Sequence, residues 1–302
     1  MKKNKYIYSI FLITGLMFLA SCGNRDTSVD SDSIESQVLN EIDSSAVQLY
    51  KFDNTLFSVP SPYQISILIK DLEIEYNPKV INPVANAQIY NDNFRKALNL
   101  GVYGADLAYL NMNNQLQDLA KYFATIKIIA EELQLSAAFE RETIERIEEN
   151  LSNEDSLLHI LSKVYRNTDR YLKENNRNNL GVLVLTGGWI ESVYFLSQIS
   201  EITQNDAIME RLGEQKYPLE NLIKILTPYY NDSDQYAELI ESLVELAYVF
   251  DGIDIEYVYE KPVTDVENKI TTIKSSTQLL MNIEHINMIT KKVNQIRTQI
   301  VD

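Results

Sequence analysis

Apolar side chains recur at three- and four-residue steps along most of this chain, the spacing of one helix face. Ile34, Val38, Ile42, Ala46 and Leu49 open the pattern, and a break follows at Asp53-Asn54. An extended stretch then runs to Pro60. Ser61 as N-cap, Pro62 in the first turn and Gln64 three residues on predict the next helix, with Ile65, Leu68, Ile69 and Leu72 on its buried stripe. After the Asn77-Pro78 and Asn82-Pro83 punctuation, helical periodicity returns through Tyr90, Phe94 and Ala97 to Leu110.

Further helices are expected over Gln115–Leu135, Ala137–Asn150, Asn153–Asn175, Asn178–Ile202, Asp206–Tyr217 and Leu219–Leu226. Ser136, and Ser152 with Asp155, are read as caps. Asp232 and Gln235 open another helix that ends near Asp251-Gly252, and a short β-rich piece, Ile253 to Tyr259, precedes Pro262. A capping box at Thr264 and Glu267 then predicts the longest helix, running to the C-terminus with a seam from Val266 through Ile270, Ile273, Thr277, Leu280, Ile283 and on to Ile300. Its mean step is close to half a heptad, which suits a coiled-coil seam or a helix lying along a bundle.

The expected class is all-α: a multi-helix bundle or short α-solenoid-like array with a long C-terminal helix, forming one domain over residues 34–302. With 9 Gly and 7 Pro in 302 residues, the composition agrees. One internal echo stands out: Asn99-Leu100-Gly101-Val102 recurs as Asn179-Leu180-Gly181-Val182. Gly104, Asp106 and Tyr109 follow the first copy, and Gly188, Glu191 and Tyr194 the second. This spacing would suit a duplicated helical hairpin.

The N-terminus departs from that pattern. Lys2, Lys3 and Lys5 precede an apolar run from about Tyr6 to Leu19, too short for a spanning helix. Leu19-Ala20-Ser21-Cys22 follows and resembles the lipobox of bacterial lipoproteins. The resemblance implies a signal peptide over 1–21 and lipidation of Cys22, with two acyl chains on the thiol, usually a third on the new amine, and an envelope location. Several chains together give stable anchoring. Gly23 stands where enterobacterial inner-membrane lipoproteins carry Asp, which points to the outer membrane, on its periplasmic face or at the cell surface. Residues 22–33, with Asp26, Asp30 and Asp32, read as a flexible acidic tether.

Charge narrows the partners. The chain carries a formal charge of −16, and without Lys2, Lys3 and Lys5 it carries −19. Such a surface repels nucleic acid and anionic headgroups, so the expected membrane contact is through lipid alone.

The segments Ser58-Val-Pro-Ser-Pro62, Ala97-Leu-Asn-Leu-Gly-Val-Tyr-Gly-Ala-Asp-Leu107 and Gly187-Gly-Trp-Ile-Glu-Ser192 resemble an uncharacterised all-helical lipoprotein family of Bacteroidetes. The resemblance runs from Phe57 onward and implies fold and location, not activity.

Chemistry is sparse. The two histidines, His159 and His285, form no zinc-protease pattern, although Asp155 and His159 sit one helical turn apart. There is no nucleophile elbow, no phosphate loop and no cofactor motif, and Cys22 is the only cysteine. Thr186-Gly187-Gly188 is read as a close helix contact. The best pocket candidate is Tyr103, Asp106, Trp189 and Glu191, aromatics and acids suited to a sugar or a cationic small molecule. The leading expectation is a non-enzymatic binding or interaction module whose ligand or partner protein is unknown. An envelope hydrolase using carboxylates, or a structural protein pairing through its C-terminal helix, are the alternatives.

Overall fold

The period-three-and-four stripes fold as helices because each can bury its apolar face against another. The computed structural model describes residues 47–302 except 53–54, 61, 73, 137–144, 148, 151–152, 266–268 and 274. The signal peptide, Cys22, the tether and the 34–46 run lie outside the described residues, as do Ser61, Ser152, Val266 and Glu267. So do the side chains of Asp155 and His159.

Two strands, β1 (Val47–Phe52) and β2 (Thr55–Pro60), form an antiparallel hairpin with Val47 opposite Pro60. The helical reading that reached Leu49 is thus corrected: from Val47 the chain is extended and paired. Then come α1 (Pro62–Asp71), a 3₁₀ turn (Val84–Ile89), α2 (Asn93–Met112) and α3 (Leu116–Glu132). After these follow α4 (Glu154–Glu174), α5 (Asn178–Thr203), α6 (Asp206–Gly213), α7 (Lys216–Leu226) and α8 (Asp234–Asp251). The helical starts are chemically marked. Asp92 accepts the Arg95 N–H, Asn205 those of Ala207 and Ile208, and Ser233 that of Tyr236.

The organising element is α5. Every residue from Leu180 to Val193 is buried, as expected of a helix that is apolar all round. By length and composition it could cross a bilayer, yet its apolar window is enclosed within the body. Helices α1, α2, α4, α6 and α7 all pack on it. The fold is therefore an all-α bundle around one helix, not a row of units that meet only their neighbours.

The echoed segments are the two halves of its tightest contact. A methyl group on Gly101 would overlap the Val184 carbonyl oxygen and stand 2.6 Å from Gly188 N. On Gly187 it would overlap the Leu98 carbonyl oxygen. Helices α2 and α5 thus touch backbone to backbone, and only glycine permits that approach.

After α8 the expected long helix does not begin at Thr264. The described residues between 254 and 280 form a β arm instead. Strand β3 (Asp254–Val258) and, beyond it, β4 (Val263–Asp265) and β5 (Ile270–Thr272) lead to β6 (Ser276–Leu280). β3 pairs antiparallel with β6, and β4 with β5. Branched residues explain the difference: Val263, Thr264, Ile270, Thr271, Thr272 and Thr277 favour extended backbone. The C-terminal helix, α9, spans Ile283–Val301. It starts at a true capping box, where Asn282 accepts the N–H groups of Glu284 and His285 and His285 Nδ1 accepts the Asn282 N–H. Its stripe of Ile286, Ile289, Val293, Ile296 and Ile300 is buried, and the helix packs against α5 and α8 of the same chain.

Candidate functional site

The glycine crossing decides where the acids go. Asp106 lies five residues beyond Gly101 on α2, and Glu191 four beyond Gly187 on α5, and the two carboxyl groups are neighbours in the interior. Each is fully buried. Across from them α9 delivers Arg297, whose Nε and Nη2 donate to Glu191 Oε2 and Oε1, both at 2.7 Å. Such a two-pronged pair is the strongest form of ion pair. Arg297 Nη2 also donates to the Val80 carbonyl at 3.1 Å, and its guanidinium lies 4.1 Å from the centre of the Tyr194 ring.

The segment between α1 and α2 closes the remaining side. Asn82 donates its N–H to Asp106 Oδ2 at 3.2 Å and its amide to the Tyr90 hydroxyl at 2.9 Å. Its carbonyl accepts the Tyr122 hydroxyl at 2.8 Å. Tyr90 and Asn99 in turn donate to the carbonyls of Val301 and Ile300, satisfying the end of α9. One polar network thus ties α2, α3, α5, α9 and the 74–90 segment together.

Its electrostatics follow from enclosure. Burial, reinforced by the neighbouring Glu191, holds Asp106 well above the ordinary carboxyl range. Burial raises Glu191 as well, and the neighbouring Arg297 pulls it back. Arg297 is held above its usual value by Glu191 against the opposing effect of burial. Burial also lifts the phenols of Tyr103 and Tyr122, and that of Tyr76 to about 12.

Of the four residues singled out in the sequence, the fold brings Asp106 and Glu191 together and sets Tyr103 nearby. The Tyr103 hydroxyl donates to the Pro83 carbonyl, and its ring meets Tyr122 edge-on at 5.8 Å. Trp189 goes elsewhere. Two residues along a helix point to different faces, and the indole N–H donates to Gln215 Oε1 at 3.1 Å, towards α6 and α7. All four side chains are enclosed, Asp106, Glu191 and Tyr103 in or beside the polar network and Trp189 apart from it, and none opens to a cleft. Sequence pattern marks Asn82 as a turn, Asn99 as part of the echo and Tyr90 as part of a stripe, but gives none of them a place in this network and does not single out Arg297. Arg297 carried a signal, being a cation beside Val293, Ile296 and Ile300 on an otherwise apolar face.

Of the described clefts, one of about 650 Å³ lies between the 72–80 segment and the end of α5, with Tyr76, Tyr109 and Ile202 in its wall. A second, of about 320 Å³, lies among α2, α8 and α9 beside Arg95 and Glu238. Neither is lined by Asp106, Trp189 or Glu191. Among the described residues no group of three His, Cys, Asp or Glu side chains is placed to hold a metal. No protein-family profile, curated protein or solved structure matches the chain.

Proposed function

We propose that this is a lipid-anchored protein of the bacterial cell envelope, held through Cys22, whose helical body works as an interaction module and not as a catalyst. The anchor rests on the basic, apolar and small-small-Cys order of residues 2–22. For the body, the observation that carries the reading is the β arm. Tyr257, Tyr259, Val263, Ile270 and Ile273 are each more than half exposed there on one element, whereas the comparably exposed Ile128, Ile202, Tyr217 and Tyr248 lie singly on four different helices. Apolar groups gathered on one exposed element mark a surface used by partners. A hydrolase would need an acid pair within reach of substrate, whereas Asp106 and Glu191 are sealed and Glu191 is committed to Arg297.

Two measurements test the two halves. Cells fed labelled palmitate should label the wild-type chain and leave Cys22→Ser unlabelled and released from membranes by a salt wash. A Cys22→Ser chain that stays bound overturns the anchor. For the body, a photo-crosslinker at position 257 or 259 should give discrete adducts in whole cells, and one at exposed Arg170 on α4 should not. Equal patterns from both positions would remove the arm as the interaction surface.

A further inference from the structure

Two carboxyl groups and one guanidinium share the dry space beneath the α2–α5 crossing. Glu191 has committed both oxygens to Arg297. Asp106 receives one N–H, from Asn82, on Oδ2, while Oδ1 is enclosed and accepts nothing. An ionised Asp106 would leave a buried anionic oxygen unpaired beside a second anion, a costly arrangement. A neutral acid uses that same oxygen as a donor, and the adjacent Glu191 carboxylate is the natural acceptor.

The surroundings support this count. Facing Asp106 are Tyr103 from its own helix, Tyr122 from α3, Glu191 and Tyr194 from α5, Arg297 from α9 and Tyr76 from the connecting segment. Burial keeps each of these phenols protonated. The charges left are Glu191 and Arg297, which cancel.

We propose that the folded protein carries Asp106 as the neutral acid, its Oδ1 hydroxyl donating to Glu191, and that this proton is a latch fastening α9 to the bundle. With the proton in place, Arg297 belongs to Glu191 alone. Without it, Arg297 is divided between two anions and α9 loses part of its attachment. The folded-state value of Asp106 lies above the unfolded one, so the stabilisation is complete below the unfolded value and is lost as pH rises through the folded value. The latch is shut below the ordinary carboxyl range and loosens as pH rises above it. If the body stands in the envelope, as proposed above, it meets that pH directly; the latch itself does not depend on the location.

The test uses the detergent-solubilised full chain and amide exchange read by mass spectrometry. Protection factors over 283–301 should fall as pH is raised from the ordinary carboxyl range up through the folded value of Asp106, by at most about tenfold per pH unit, the ceiling for one linked proton. In Asp106→Asn, whose amide can still donate to Glu191, they should stay level. In Glu191→Gln the repelling anion is gone and Arg297 is left to Asp106, so the fall should shrink or reverse. Equal slopes in wild type and Asp106→Asn overturn the latch. If Asp106→Asn does not fold, equal slopes in wild type and Glu191→Gln do so. An infrared band of a protonated carboxyl near neutral pH is the direct signature, and its absence from the wild-type protein overturns the proposal whatever the variants do.

Discussion

Gly101, Gly104 and Gly187, around the α2–α5 crossing, have opposite duties, and the difference can be measured. At Gly187 a methyl group has nowhere to go, because the Leu98 carbonyl already occupies its place. At Gly104, on the same helix as Gly101, nothing stands within 4 Å of an added Cβ. Gly187→Ala should therefore cost about 1–3 kcal/mol through overpacking, with Gly101→Ala alike. Gly104→Ala should gain up to about 1 kcal/mol from helix propensity. Urea midpoints of the three variants check the ranking. At this scale the sequence was half legible. Asp106 and Glu191 were visible as acids inside apolar runs, and Gly187 as a contact point. The partnership of Glu191 with Arg297 spans 106 residues and leaves no local period to read. Trp189 shared a segment with Glu191 but faces another neighbour, because helical rotation separates residues two apart.

Among the elements, most helices of the bundle were legible because burial of one stripe imposes its period on the letters. The C-terminal region was misread for the same reason: apolar steps of three and four between 263 and 283 fit an extended arm as well as a helix. Branched side chains were the signal against a helix there. The two readings differ at the cap. Asn282→Ala should cost about 1 kcal/mol, since it removes the acceptor for two N–H groups at the start of α9. Thr264→Ala should change stability by no more than about 0.5 kcal/mol, because Thr264 is exposed on the arm and meets only Thr271 across the strand pair. A helix beginning at 264 would give the reverse order in thermal melts.

On the scale of the whole molecule, charge and apolar burial divide the work. Under the proposed processing at Cys22 the chain would carry −19 and be repelled by anionic bilayers, so its general surface would not compete with lipid for the role of anchor. This is why the Cys22→Ser chain is expected to leave the membrane completely. The stripe on α9 that could have paired two molecules is spent inside one, and the arm gathers five exposed apolar side chains that an external partner would meet.

The location of Arg297 also sets an order in time. Glu191 is synthesised long before its counter-charge, and α5 cannot close over that anion without it. The native core must therefore wait until the chain has been made through residue 297, with α2, α5 and α9 converging from distant parts of the sequence. Contacts so far apart make for slow folding, and until they form the long apolar α5 is the segment most in need of shelter from aggregation.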